Sequence, residues 1–235
     1  MAMPQNPNLE ILESAVHRLG SLSEQMVFLG GCATGFLLTD PAAPSIRVTR
    51  DVDVIVEVTS LANYHRLSEG LREKGLTEDF SPGAPICRWK DESIILDVMP
   101  TDPKILGFGN RWFSLAFTAA EHFTLPSGVR IRILPAPYFL ATKLEAFDYR
   151  GKGDFLLSRD MEDIITVLDG REEIVLEVQT AKSNLKDYLV KRFSGLMDER
   201  LFLEALPGYL PPDQASQSRL SHIIDRVESI AESDL

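Results

Sequence analysis

The chain has 235 residues, 44% of them apolar and 25% charged, a balance that fits a packed globular protein and excludes disordered and collagen-like classes. A formal net charge of −11 excludes non-specific attraction to phosphate backbones over most of the surface, so any nucleic-acid contact must be local. The two cysteines, Cys32 and Cys87, and the four histidines, His17, His65, His122 and His222, are scattered, which supplies neither a zinc spacing nor a Ser/His/Asp order.

Residues 8–22 carry Leu9, Leu12, Ala15, Val16 and Leu19 at three- and four-residue spacing, which predicts an amphipathic helix. Met26 to Leu29 is a short apolar run that stops at Gly30-Gly31 and continues into the small and apolar residues 32–38. Strand, glycine turn and helix is the reading. After a loop over 40–45, residues 51–56 alternate acidic and apolar before turning wholly apolar, a strand with carboxylates at one end. Residues 61–74 are helical by spacing, 86–89 and 93–98 form two strands joined by Lys90-Asp91-Glu92, and 121–125 and 129–134 flank the turn Pro126-Ser127-Gly128. From Pro137 the pattern is helical, over 138–149, 159–168, 172–178, 182–193 and a last helix over 213–230. Strands mixed with helices early and helices alone late predict an α+β fold: a catalytic domain over 1–135 and a helical domain over 136–235 that completes a ligand cleft. Residues 1–10 hold no basic stretch leading into an apolar run, and no run approaches the roughly 18 apolar residues of a membrane span. A soluble, cytoplasmic protein with no membrane partner is expected, with both cysteines reduced and buried.

Asp51 and Asp53, two apart on a strand, leave the same face while Val52 and Val54 point into the core. Oxygen donors so placed suit a hard divalent cation such as magnesium. Asp97 sits in the apolar run Ile94-Ile95-Leu96-Asp97-Val98, where an unpaired charge is costly, so it needs a cation or a hydrogen-bonding partner. On a helix, Asp160 and Asp163 are neighbours whose repulsion calls for a positive group, with Arg159 and Lys143 the candidates. Trp89, Trp112, Phe108 and Phe113 could stack a base, although core packing is the commoner use of such residues.

A strand ending in Gly30-Gly31, then Thr49-Arg50-Asp51-Val52-Asp53, then Ile95-Leu96-Asp97 resembles the nucleotidyltransferase superfamily of DNA polymerase β. Arg47-Val48-Thr49-Arg50-Asp51-Val52-Asp53, with Ala141 to Arg150 and Arg159 to Ile164, is similar to the blocks of the AbiEii/AbiGii toxin-type members. The resemblance implies a polymerase β-like core and transfer of a nucleoside monophosphate from a nucleoside triphosphate to an acceptor hydroxyl. Two magnesium ions, replaceable by manganese, would be held by Asp51, Asp53 and Asp97. It implies catalytic roles for these three and for Lys143. Nucleotide contacts are implied for Gly30, Gly31, Thr34, Thr49, Arg50, Lys143, Arg150, Asp160 and Asp163. Lys143 would hold the triphosphate and Thr34 would replace the serine hydroxyl that many relatives carry at Gly31. The gap from Gly31 to Asp51 exceeds the superfamily's usual spacing, implying a longer helix or loop over 40–45. Acceptor RNA, transfer RNA in particular, or a protein hydroxyl, and a cognate antitoxin, follow from the toxin-type likeness. Other relatives modify small-molecule antibiotics, and an inactive nucleotide-binding or interaction module is the rival from another class. Arg47, Arg50, Lys143, Arg150, Lys152 and Arg159 could make a local basic rim.

Overall fold

The computed structural model describes residues 6–151 and 153–233. Lys152 and the first five residues of the stretch read for a leader lie outside the described residues. The fold is α+β, in two compact units: a sheet unit of residues 7–33 and 47–135, and a helical unit of residues 6, 34–46 and 136–233.

The sheet unit opens with helix α1 (Leu9–Leu19), whose Leu12, Ala15, Val16 and Leu19 are buried as the spacing predicts, and a 3₁₀ segment, Gly20–Gln25. Strand β1 (Met26–Leu29) is buried throughout, as four consecutive apolar residues require. Then come β2 (Val52–Val56), α3 (Leu61–Glu73), β3 (Thr77–Glu78), β4 (Arg88–Lys90), β5 (Ile95–Pro100), α4 (Phe113–Ala119), β6 (Glu121–Thr124) and β7 (Arg130–Ile133). The seven strands lie in the order β3-β4-β5-β2-β1-β7-β6, with β2/β5 and β1/β7 parallel and the other neighbours antiparallel. Ser60 caps α3 by accepting from the Asn63 amide, and in the β4–β5 turn the Asp91 carboxylate accepts from the amides of Ser93 and Ile94.

In the helical unit, α2 is only Thr34–Leu37, shorter than the helix expected over 32–38, because the chain first closes a turn in which the Ala33 amide donates to the Gly30 carbonyl. The long gap before Asp51 is loop rather than helix. Its Thr39 and Asp40 amides donate to the carbonyl of Gly170, the last residue of α6 (Arg159–Gly170). The other helices are α5 (Ala136–Ala146), α7 (Ile174–Gln179), α8 (Ser183–Met197), α9 (Arg200–Ala205), α10 (Gln214–Gln217) and α11 (Leu220–Ala231). Residues 136–144 of α5 are all buried, the mark of a central helix, and its end widens into a π-turn over Phe147–Gly151. The single last helix expected over 213–230 is broken in two. The Gln217 amide is turned onto the carbonyls of Pro207, Leu210 and Pro211, and Arg219 reaches Asp169 and Asp40, so both residues are tied to the loops they face. Among the described residues no helix is long and apolar enough to cross a membrane. Cys32 and Cys87 are buried free thiols, as expected.

Candidate active site

Strand register assembles the first group. Pairing sets Leu29 opposite Asp53, Asp53 opposite Asp97, and Asp97 opposite Arg88, across β1, β2, β5 and β4. Residues paired across strands share a face, so Arg88, Asp97 and Asp53 form one row. Val52 and Val54, on the other face of β2, are fully buried. Asp51 lies just before β2 rather than on it, and its orientation is set by the Thr49 hydroxyl, which donates to Oδ1 at 2.8 Å.

The cation that Asp97 needs is Arg88. Its Nε donates to Asp97 Oδ1 at 2.8 Å and its Nη2 to Asp97 Oδ2 at 2.7 Å, and the same Nη2 lies 3.1 Å from Asp51 Oδ2. Asp97 is 7% exposed, so a two-point guanidinium pair is the geometry that offsets its burial. The hydrogen bonds to Asp97 hold the Arg88 pKa above its ordinary value, helped by the charges of Asp97, Asp51 and Asp53. Burial pushes the neighbouring Cys87 thiol up to about 12, with Asp97 and Asp53 adding to the effect, so Cys87 stays protonated and is no nucleophile.

Two close approaches fix the glycine turn to this row. Gly30 has φ of 72°, and a Cβ built on it would lie 1.8 Å from Asp53 Oδ2, so the carboxylate occupies the space a side chain would take. A Cβ on Gly31 would lie 2.6 Å from the Arg47 guanidinium. Gly30→Ala should therefore cost the left-handed backbone penalty of about 1–2 kcal/mol and also displace Asp53. A thermal melt should show Tm lower by roughly 2–8 °C, and an unchanged Tm would contradict the close approach.

Asn8 was not singled out by the sequence. Fully buried, it makes no cap bond to α1; its amide donates to the carbonyls of Gly31 (3.2 Å) and Arg47 (3.0 Å), and its Oδ1 accepts from the Thr49 amide (2.9 Å). One side chain thus ties the glycine turn to the segment leading into Asp51. Asn8→Ala leaves these backbone groups without that partner and should cost about 2 kcal/mol, or ~4–8 °C in Tm; a shift below measurement error would contradict the tie.

The second group lies in the helical unit. Lys143 Nζ on α5 donates to Asp163 Oδ2 at 2.5 Å and Asp160 Oδ1 at 3.3 Å, both on α6, and Arg150 from the π-turn makes a two-point pair with Asp160 at 2.7 Å each. Lys143, Asp160 and Asp163 are buried, whereas the Arg150 side chain is 65% exposed. Burial pushes Asp160 up, but Arg150 and Lys143 outweigh it and hold the carboxyl below its ordinary value. The charge partner that the Asp160/Asp163 pair calls for is Lys143 together with Arg150; Arg159 is exposed and is not that partner.

Of the other expected residues, Thr34 is buried at the start of α2, Thr49 is buried against Asp51, and Arg50 is exposed. Trp89, Trp112 and Phe113 are buried, which is core packing rather than a stacking surface. A groove of about 1540 Å³ lined by His17, Arg18, Lys74, His122 and Arg130 in the sheet unit contains none of Asp51, Asp53 and Asp97. Three carboxylates are the donor type for a hard divalent cation. As arranged, however, Asp97 and Asp51 are engaged by Arg88 and Thr49, and among the described residues no three acidic, histidine or cysteine side chains converge as a metal site.

No protein-family model matches the chain, and no curated protein matches it. Among solved structures it is similar to an antigenic nucleotidyltransferase-like protein from Paracoccidioides brasiliensis, at 18% identity and a TM-score of 0.48, over 87% of this chain and 93% of that one.

Proposed function

We propose that the chain is a nucleotidyltransferase that moves a nucleoside monophosphate from a nucleoside triphosphate to an acceptor hydroxyl. One observation carries the reading: Gly30 in the turn just past β1, Asp53 on β2 and Asp97 on β5, distant in sequence, come together, with Gly30 pressed against the Asp53 carboxylate and Asp51 beside the same row. These are the three parts of the motif that resembles the polymerase β superfamily. In the reaction the acceptor oxygen bonds to the α-phosphorus, the bond from that phosphorus to the bridging oxygen breaks, and pyrophosphate leaves. Asp97 takes the hydroxyl proton. Magnesium or manganese, held by Asp51 and Asp53 with Asp97, would neutralise the triphosphate and make the hydroxyl more acidic. The Arg47 guanidinium beside Gly31 places positive charge next to the turn that approaches the phosphates. Lys143, committed to two buried aspartates, holds α5 to α6.

The acceptor proposed is RNA or a protein hydroxyl, as the toxin-type likeness implies, with a cognate antitoxin as partner; a small-molecule antibiotic is the second acceptor class. The test is transfer of label from each α-phosphate-labelled nucleoside triphosphate, with magnesium, into a total small-RNA pool, beside an Asp51→Ala/Asp53→Ala control. Label that the double variant abolishes supports RNA as acceptor, and label only in added protein or antibiotic shifts the acceptor class. The hold of Arg88 on Asp97 and Asp51 favours a second reading, a module that binds without turnover, which predicts no divalent-dependent nucleotide binding.

A further inference from the structure

Resting on the proposed transferase reading, we infer that Arg88 is a built-in lock on the carboxylate row: its guanidinium holds the place of a divalent cation, and the site works only after an incoming cation displaces it. Arg88 and Asp97 are opposite one another on paired strands, so the pair is preset by the backbone rather than reached by a flexible side chain. The guanidinium takes both oxygens of Asp97 and one of Asp51. While it does so, both oxygens of Asp97 are engaged and are not offered to a metal. The row holds three carboxylates, Asp51, Asp53 and Asp97, for which a doubly charged cation competes with the guanidinium on electrostatic grounds. The Arg88 side chain is 21% exposed, which leaves a way out toward solvent. The consequence is a threshold: cation binding and release of Arg88 are one event, and the affinity for the cation is lowered by the cost of breaking the pair.

The test is manganese binding to the full chain without nucleotide, followed by the electron paramagnetic resonance signal of the free ion. Arg88→Gln should bind manganese about tenfold or more tightly than the parent, and adding Asp53→Asn should abolish the gain. Arg88→Lys, which keeps the charge but loses the fork, should fall between. A folded Arg88→Gln with equal or weaker affinity than a manganese-binding parent overturns the lock and leaves the transferase reading standing. No binding by either protein overturns the lock together with the metal-dependent transferase. The parent alone gives an independent check: the Arg88 Nε–H resonance should move on titration with magnesium, and a resonance fixed while magnesium binds overturns the inference.

Discussion

Asp97→Asn is expected to leave nucleoside triphosphate affinity within about threefold of the parent while lowering the transfer rate by roughly 10³-fold, a loss confined to the step in which charge develops. The reasoning is positional. Asp97 is the buried member of the row, opposite Asp53 on one side and Arg88 on the other, so an isosteric amide keeps the volume and removes the charge at the cost of one of the two Arg88 hydrogen bonds. Single-turnover kinetics with equilibrium nucleotide binding separate the two quantities. Turnover equal to the parent's would remove Asp97 from the chemistry; a parallel loss of binding would make it a nucleotide ligand instead.

Lys143→Met is expected to lower stability by about 3–5 kcal/mol, because it leaves the buried carboxylates of Asp160 and Asp163 without their shared cation. For a chain of this size that is a fall in Tm of roughly 6–20 °C. Asp160 keeps Arg150, and removing the Asp163 charge as well, in Lys143→Met/Asp163→Asn, should recover much of the loss. The pH dependence has a definite sign. Asp160's folded pKa lies below its ordinary value of 3.8, so its stabilisation is complete above about pH 4 and is lost as pH falls through the lowered value. The gap between parent and Lys143→Met should therefore narrow in acid. A melt at neutral pH that matches the parent would mean that Lys143 is not bound into the core and is free to act as a phosphate ligand.

Much of the sheet could be read directly from the chain. Four apolar residues before Gly30 mark β1 to the residue, and the alternation after Asp51 marks β2. The third carboxylate was also legible, since a charge among Ile94, Ile95, Leu96 and Val98 has to be satisfied. What went unread was its partner. The signal was present: with Asp91 organising a four-residue turn, the hairpin register of β4 and β5 sets Arg88 opposite Asp97, although the arginine itself belongs to no carboxylate pattern. Asn8 was hidden for a different reason. An asparagine ahead of an amphipathic stretch reads as a helix cap, whereas its side chain is drawn away to the Gly31 and Arg47 carbonyls, far along the chain. Strand β3 is two residues long and α4 begins without a side-chain cap, so neither carries a local pattern. The break between α10 and α11 is set by Gln217 and Arg219 finding distant carbonyls and carboxylates, which helical spacing alone does not reveal.

The measurement that goes most directly to the central claim is a paired label experiment with α- and γ-phosphate-labelled nucleoside triphosphate and a responsive acceptor. A nucleotidyltransferase puts the α label into the acceptor and the γ label into pyrophosphate, in equal amounts, and Asp51→Ala/Asp53→Ala abolishes both. Label from the γ-phosphate in the acceptor, or in free phosphate with nothing transferred, would contradict it.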